Sequence, residues 1–237
     1  MVGAVLFDYG LTLVRFTFPR AELVKVLEQV RPWLGPSVPD TETLMHDVIE
    51  AIEDQLPAYG EDEIDYLDFY DRAWRRAGVN MSRETLYRVL DLEQRCWDRS
   101  VQLAPDALST LERLRARGLR TAVASNAPFP PEMMRRQVRL VGIAQRVDVV
   151  VFSSEVGRRK PAPELYLAAL DRLGASPADA LYVGDRVVED YDGPRRLGMR
   201  AVLCEALARG PVRDGVPTIP RLSDLDEFID REGSHET

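Results

Sequence analysis

The sequence contains few of the residues that build covalent cross-links, histidine sites or membrane spans. Only two cysteines occur among 237 residues, Cys96 and Cys204; this is too few for a disulfide framework, and they lack the spacing of a metal site. The two histidines, His46 and His235, lie outside every motif described below, so we expect both to be structural or exposed to solvent. No segment approaches ~18 consecutive apolar residues, and the amino-terminal apolar run is too short for a signal peptide. We therefore expect no membrane association and a reducing, cytoplasmic setting.

Lysine is scarce as well. Of the 31 basic residues only Lys25 and Lys160 are lysines, and the rest are arginines. Because the chain uses arginine wherever a generic positive charge suffices, a retained lysine is a candidate for a task that an ammonium performs and a guanidinium does not. The net charge of −8 argues against a nucleic-acid partner, since phosphate backbones attract basic surfaces.

The first apolar run of the chain ends at an acidic residue. The run from Ala4 to Phe7 has no polar alternation, which is typical of a strand buried on both faces of a parallel sheet. Asp8 follows directly, at the predicted carboxyl end of that strand, and ligands bind beyond such ends in open α/β sheets. Asp8 is therefore a candidate for chemistry, although an aspartate here can also simply open a turn.

Residues 15–100 carry the apolar spacing of helices rather than of strands. Three tryptophans, Trp33, Trp74 and Trp97, lie in this region, and we expect them to form the interior of a small helical bundle. An all-helical stretch of this length is too long for a plain crossover between strands, so we predict a separate inserted subdomain. The predicted helices span Ala21–Val30, Thr41–Gln55, Ile64–Ala77 and Arg83–Arg99.

Short apolar runs alternate with helical patterns in the remainder of the chain. Such alternation predicts an α/β fold with a doubly wound parallel sheet and right-handed crossovers. We assign residues 1–14 and 101–237 to this core and residues 15–100 to the inserted helical subdomain. The predicted later strands are Leu119–Ala124, Val147–Phe152, Ala180–Val183 and Ala201–Cys204.

Polar side chains follow four of the predicted strands. Because the carboxyl ends of parallel strands open onto one edge of the sheet, these side chains are expected to converge on one crevice. Their inventory of a carboxylate, a hydroxyl, an ammonium and a pair of acids suits metal-assisted phosphoryl transfer. The residues are Asp8, Ser125 with Asn126, Lys160, and Asp185 followed by Asp190.

Each of these candidates also has a simpler structural interpretation. Ser125 can be an ordinary helix N-cap, although capping and phosphate binding coexist at a helix start. Lys160 can be a solvated loop charge, which the arginine bias argues against. Asp185 can be a turn residue after Gly184. Glu189 and Asp192 lie near Asp190 in the sequence, so either can be the acid that acts together with Asp185 instead.

Four short motifs resemble those of the haloacid dehalogenase superfamily, whose members are mostly phosphatases. The resemblance covers residues 1–14 and about 101–237, and the helical insert is similar to the family's first-position cap. The motifs are Phe-Asp-Tyr-Gly-Leu-Thr-Leu at 7–13, Ala-Ser-Asn at 124–126, Glu-Val-Gly-Arg-Arg-Lys-Pro-Ala-Pro at 155–163, and Val-Gly-Asp-Arg-Val-Val-Glu-Asp at 183–190.

The resemblance implies a role for each candidate residue. Asp8 would be the nucleophile that forms an aspartyl-phosphate, and Lys160 would compensate charge between it and the phosphate. Ser125 and Asn126 would bind the phosphoryl group of a small phosphorylated metabolite. Magnesium would be held by Asp8, the backbone carbonyl of Gly10, Asp185 and, as a ligand or just behind the ligands, Asp190.

Position 10 departs from the family pattern. Phosphatases of the family usually carry a second aspartate two residues after the nucleophile, which protonates the leaving alcohol and then activates water. This chain has Gly10 there, and Leu11 where glycine is usual. Since general acid–base catalysis is typically worth ~10²–10⁴ in rate, its loss raises the barrier for an alkyl leaving group by about 3–5 kcal/mol.

Three outcomes are compatible with this departure. The protein can be a phosphatase that is slow or specialised for good leaving groups. Another group, such as Tyr9, a cap residue or the substrate itself, can supply the proton, or the chain can be a catalytically impaired binding or regulatory protein. The 2-haloacid dehalogenases also lack the second aspartate, but they have no use for magnesium and generally carry tyrosine where Gly10 stands. A phosphonatase would need a Schiff-base lysine in the cap, and Lys25, the one lysine there, has no supporting context.

Overall fold

The computed structural model describes residues 2–56, 60–208 and 212–234. Its strands are β1 (Ala4–Phe7), β2 (Val14–Phe16), β3 (Val101–Leu103), β4 (Arg120–Ser125), β5 (Val149–Phe152), β6 (Ala180–Gly184), β7 (Arg200–Cys204) and β8 (Thr218–Ile219). Its helices are α1 (Arg20–Leu34), α2 (Thr41–Leu44), α3 (Ala51–Gln55), α4 (Tyr66–Arg76), α5 (Arg83–Ser100), α6 (Ala107–Ala116), α7 (Pro131–Leu140), α8 (Ser153–Val156), α9 (Pro163–Leu173), α10 (Gly193–Arg196) and α11 (Leu225–Ser234). Met45–Glu50 and Val187–Asp192 are π-helical turns, and Pro177–Asp179 and Leu222–Asp224 are 3₁₀ turns. Within the described ranges, no helix has both the length and the apolar character that a membrane crossing requires.

The core of the fold is a six-stranded sheet in the order β5-β4-β1-β6-β7-β8, and all neighbouring strands run parallel. From β1 the chain winds outward to β4 and β5 on one side and then to β6, β7 and β8 on the other. The predicted doubly wound α/β fold is therefore confirmed. Its topological switch point lies beside β1, which places a crevice at the carboxyl ends of β1, β4 and β6.

The central strand β1 is buried on both faces, as its unbroken apolar run predicts. Val5 and Phe7 pack in a cluster with residues of α6, α7 and α11 on one face of the sheet. Ala4 and Leu6 pack on the opposite face with residues of α9. Every side chain of the strand is fully buried, so the polar character begins abruptly at Asp8.

Helices α1 to α5 form their own apolar cluster, which extends from Leu23 to Cys96 and includes Met133 from α7. Trp74 is fully buried in this cluster, as expected. The expectation is wrong for Trp33, which is 39% exposed and lies under the Arg88 guanidinium, 4.7 Å from its ring centre. A cation over its face gives an aromatic ring a partner at the surface, so the residue type alone did not determine its burial.

Two short strands connect this helical insert to the sheet. β2 pairs antiparallel with β3, so that Val14 lies opposite Leu103 and Phe16 opposite Val101. We call this pair the connecting ribbon. It was not predicted, because three-residue strands are too short to show an alternating pattern and their pairing spans a long stretch of sequence. The boundaries predicted at residues 14 and 101 fall within these two strands and stay a prediction.

The insert also contacts the loop that precedes α9. The backbone amide of Glu63 donates to the Gly157 carbonyl at 3.1 Å, and the amide of Arg159 donates to the Glu61 carbonyl at 2.7 Å. An ion pair of 3.0 Å joins the largely buried side chains of Arg159 and Glu63. These contacts fix the loop segment that carries Lys160.

Candidate active site

The predicted polar residues all line one pocket of about 260 Å³ at the carboxyl edge of the sheet, which we call the acidic pocket. Asp8 directly follows β1, Ser125 ends β4, and Asp185 directly follows β6. Lys160 lies on the loop before α9, and Asp190 lies in a π-helical turn. Gly10 and Asn126 line the same pocket.

Lys160 is the centre of the hydrogen-bond network in the acidic pocket. Its Nζ donates to Asp8 Oδ1 at 2.6 Å, to Asp190 Oδ1 at 2.7 Å and to the Tyr182 hydroxyl at 2.8 Å. The residue is only 5% exposed, so it is not a solvated loop charge. Burial by itself lowers the pKa of this ammonium, but the carboxylates of Asp190 and then Asp8 outweigh burial and raise it above the ordinary value. Lys160 therefore remains charged.

The Asp8 carboxylate has one engaged oxygen and one free oxygen. Oδ1 accepts hydrogen bonds from Lys160 Nζ and from the Ser125 hydroxyl at 2.8 Å. Within the described part of the chain, no group donates to Oδ2. Burial raises the pKa of Asp8 and the Lys160 ammonium lowers it again, with burial the larger effect. A carboxylate held by one oxygen presents the other in a fixed direction, as a nucleophile requires.

Asp190 links Lys160 to the backbone that follows β6. Its Oδ2 accepts from the backbone amides of Asp185 at 3.0 Å and Arg186 at 2.9 Å, while its Oδ1 accepts from Lys160. It is 1% exposed, and its partners occupy both oxygens. The other two acids of this segment point to arginines, Glu189 to Arg186 and Asp192 to Arg213.

Asp185 differs from the other two acids because the described structure shows no direct ion pair to it. Among residues 2–56, 60–208 and 212–234 the structure gives its carboxylate no hydrogen-bond donor and no ion pair. Burial, together with the nearby charges of Asp8 and Asp190, raises its pKa to about 7. Oxygens of Asp8, Asp185 and Asp190 lie within 4.8 Å of one another.

The donor set of this cluster fits a divalent cation. When all three carboxylates are ionised, Lys160 is the cation that pairs directly with this cluster, because Arg186, which also lines the pocket, pairs with Glu189. The cluster therefore keeps an excess of buried negative charge, which is costly without a further cation. Carboxylate and carbonyl oxygens are the ligands that Mg²⁺ prefers in proteins. Asp8 and Asp185 have oxygens free for such an ion, and the backbone of Gly10 lies at the same pocket.

Asn126 has a structural role, binding the backbone of Lys160, that its place in the motif did not indicate. Its Oδ1 accepts from the Lys160 backbone amide at 2.7 Å, and its Nδ2 donates to the Lys160 carbonyl at 3.1 Å. The side chain thus fixes the backbone of the loop that carries Lys160, and its predicted contact with phosphate stays a prediction. Ser125 ends a strand and its hydroxyl donates to Asp8, so it is not a helix N-cap.

One contributor to the site was missed at the sequence level. The hydroxyl of the buried Tyr182 accepts from Lys160 Nζ and donates to the Ala124 carbonyl at 2.5 Å. Tyr182 therefore accepts the third hydrogen bond of the Lys160 ammonium, after those to Asp8 and Asp190. The available signal was a phenol inside an otherwise apolar strand that ends in Gly-Asp, because a buried hydroxyl needs a hydrogen-bond partner.

Gly184 allows Asp190 to approach the sheet. A Cβ at this position would lie 2.3 Å from Asp190 Cγ, so Gly184→Ala must displace the buried carboxylate. We expect this substitution to lower the free energy of unfolding by about 2 kcal/mol. The matched control is Gly3→Ala, just before β1, where the nearest atom to an added Cβ is 3.9 Å away. Urea unfolding of both variants measures the difference, and equal stabilities would contradict this account of Gly184.

Residues 2–198 match the model of a protein family described as haloacid dehalogenase-like hydrolases. The chain belongs to this family. The hydrolase is 30% identical over 240 residues to a phosphatase of Mycobacterium tuberculosis, with 98% of this chain and 99% of the relative covered. It is 26% identical over 219 residues to the glyceraldehyde 3-phosphate phosphatase of Methanopyrus kandleri, covering 92% and 88% of the two chains. A solved 2-haloacid dehalogenase of Pseudomonas syringae superposes with a TM-score of 0.71 at 26% identity, over 98% and 99% of the chains.

Proposed function

We propose that this hydrolase is a Mg²⁺-dependent phosphomonoester hydrolase that acts on a small phosphorylated metabolite through an aspartyl-phosphate on Asp8. The observation that carries the proposal is the cluster of Asp8, Asp185 and Asp190 around the ammonium of Lys160. This excess of buried negative charge suits a site that binds a cation together with a phosphate. The phosphatase names of two relatives that match most of the chain support the same reaction class.

The first step is an attack of the free Asp8 oxygen on phosphorus. The bond between phosphorus and the leaving oxygen breaks, and its electron pair stays on that oxygen. Ser125 and Lys160 hold the other Asp8 oxygen, so the attacking one keeps its direction. The positive charge of Lys160 offsets the repulsion between carboxylate and phosphate.

In the second step, water attacks phosphorus in the aspartyl-phosphate. The bond between phosphorus and the Asp8 oxygen breaks, and its electron pair stays on the regenerated carboxylate. Inorganic phosphate leaves with the oxygen of the water, whose protons pass to the phosphate and the solvent. A Mg²⁺ ion bound by Asp8, Asp185 and the Gly10 carbonyl would supply charge neutralisation for the phosphoryl oxygens. Asp190 orients Lys160 and the backbone at Asp185 in both steps.

Gly10 restricts which substrates can be turned over quickly. No side chain at this position can protonate the leaving oxygen, and an unprotonated alkoxide is a poor leaving group. Aryl and acyl phosphates release weakly basic oxygens and depend less on protonation. We therefore propose that activity is specialised for such leaving groups and is slow on alkyl phosphates.

We also propose that residues 15–100 form a cap over the acidic pocket, with residues 1–14 and 101–237 as the catalytic core. The separate apolar cluster of the insert supports this division. So does the connecting ribbon, through which the chain enters and leaves the insert at adjacent positions.

The test is hydrolysis of p-nitrophenyl phosphate with Mg²⁺ and with a chelator, alongside chloride release from L-2-chloropropionate. We expect phosphate release that falls at least about 100-fold when the metal is removed, because the excess charge of the three carboxylates then repels the phosphate. No chloride should be released. Metal-independent chloride release would support a dehalogenase instead, and absence of any turnover would support an impaired binding protein.

A further inference from the structure

A second pocket, of about 200 Å³, opens directly beside the acidic pocket. We call it the distal pocket. Phe16, Phe129 and Met134 line both pockets, so the two pockets adjoin along these side chains. A molecule whose phosphate lies near Asp8 can extend along this shared wall.

The distal pocket lies between the insert and the core, and its walls are mainly apolar. Trp97 of α5 joins the aromatic rings of Phe16 and Phe129 in lining it. Apolar walls with a few converging polar groups are typical of small-molecule sites. Here the polar groups are Glu53 of α3, Gln94 of α5 and Gln137 of α7.

Each of these three side chains has at least one polar atom without a partner in the described structure. Gln137 is 2% exposed, and its Oε1 has no hydrogen-bond donor, although its Nε2 donates to Asp98 at 3.3 Å. Gln94 is 3% exposed, and the described chain gives its amide no hydrogen bond. Glu53 has no ion pair within that same part of the chain. A buried acceptor without a donor costs free energy that a bound donor recovers.

The negative charge of the distal pocket favours a ligand whose hydrogen-bond donor is cationic. Glu53 is its one charged side chain among the described residues, and no lysine or arginine lines it. Burial first, and then the neighbouring Asp54 carboxylate, raise the pKa of Glu53 to about 7, since no cation offsets either effect. A cationic ligand group would be the missing counterion, whereas a carboxylate would meet an unbalanced negative charge.

We propose that the distal pocket binds the leaving group of the substrate, and that this leaving group is an aromatic body ending in a protonated amine. The aromatic walls hold the ring, and Glu53 with the Gln137 carbonyl oxygen accepts hydrogen bonds from the ammonium. The inference rests on the proposed phosphatase function. It agrees with the absence of a side chain at Gly10, because an aryl oxygen leaves without a proton donor.

Three aryl phosphates with nearly the same leaving oxygen test this inference. They are 4-(2-aminoethyl)phenyl phosphate, 4-ethylphenyl phosphate and 3-(4-phosphonooxyphenyl)propanoate, which carry a cation, no charge and an anion at the far end. For the native chain we expect kcat/KM to fall about 10-fold from the cationic to the neutral substrate, and further for the anionic one. In Glu53→Gln the ratio of cationic to neutral substrate should approach one.

The matched control is Asp54→Asn, which removes the same charge from the exposed neighbour of Glu53 and should retain the preference. Each ratio is measured on a single preparation, so the amount of folded protein cancels. If the native chain hydrolyses all three substrates alike, or if Glu53→Gln keeps the full preference, the inference is overturned while the phosphatase function stands. Hydrolysis of none of them would overturn the proposed function, and the inference with it.

Discussion

Asp8→Asn is expected to reduce hydrolysis of p-nitrophenyl phosphate by at least roughly 1,000-fold, because an amide cannot form the covalent intermediate. The structure indicates that the substitution removes the nucleophilic oxygen and changes little else in the pocket. The carboxylate lies in a buried position with one oxygen held by Lys160 and Ser125, and asparagine is of nearly the same size. Substrate binding should persist, because the other groups of the acidic pocket remain. The loss is therefore expected in kcat more than in KM.

Rapid quenching followed by mass spectrometry provides the direct measurement. The native chain should gain the mass of one phosphoryl group on the peptide that contains Asp8, and Asp8→Asn should gain none. The matched control is Asp171→Asn, the same substitution at an exposed position of α9. Thermal unfolding of both variants shows whether the fold is retained. Undiminished turnover by a folded Asp8→Asn variant would refute the covalent mechanism.

Gly10→Asp is expected to raise the hydrolysis of alkyl phosphates by about 10–100-fold, with only a small change for aryl phosphates. It supplies a carboxyl group that can protonate the leaving oxygen, and general acid–base catalysis is typically worth ~10²–10⁴ in rate. We expect less than the full effect, because the rest of the pocket did not evolve around this group. The backbone accepts the side chain: the one atom within 4 Å of an added Cβ is Phe16 Cε2, at 3.4 Å.

Gly10→Ala is the matched control for this gain. It adds the same Cβ without a carboxyl group, so it should leave the ratio of alkyl to aryl turnover unchanged. The measurement is kcat/KM for one alkyl and one aryl phosphate in the three proteins. If Gly10→Asp and Gly10→Ala behave alike, the glycine does not limit proton transfer. If turnover of every substrate appears only in Gly10→Asp, the native chain is an impaired binding protein.

The sheet and the position of Asp8 were predictable because local patterns determine them. A strand buried on both faces must be apolar throughout, so the unbroken run of β1 indicated a buried strand of a parallel sheet. The ends of such strands meet at one edge, and this predicted that Asp8, Ser125 and Asp185 lie together. Lys160 was found by a different signal, the rarity of lysine in a chain that otherwise uses arginine. The roles assigned to these residues stay predictions.

Features that depend on long-range contacts were not predictable in the same way. Trp33 was expected in the core because it is a tryptophan of the helical insert, whereas it lies at the surface with an arginine of α5 over its ring. The connecting ribbon joins segments on either side of the insert, and neither segment carries a strand pattern by itself. The distal pocket likewise combines Glu53, Gln94 and Gln137 from three separate helices. No local pattern shows that three such side chains share a cavity.

The connecting ribbon gives the insert a single line of covalent attachment to the sheet. Glu53 and Gln94 lie on one side of that line and Gln137 on the other. Rotation of the insert about the ribbon would therefore change the distance between these side chains. A molecule that contacts both sides would hold the insert and the core together. Under the proposed function, we expect the length of the leaving group, as well as its charge, to affect how tightly the insert and the core are held together while phosphorus reacts.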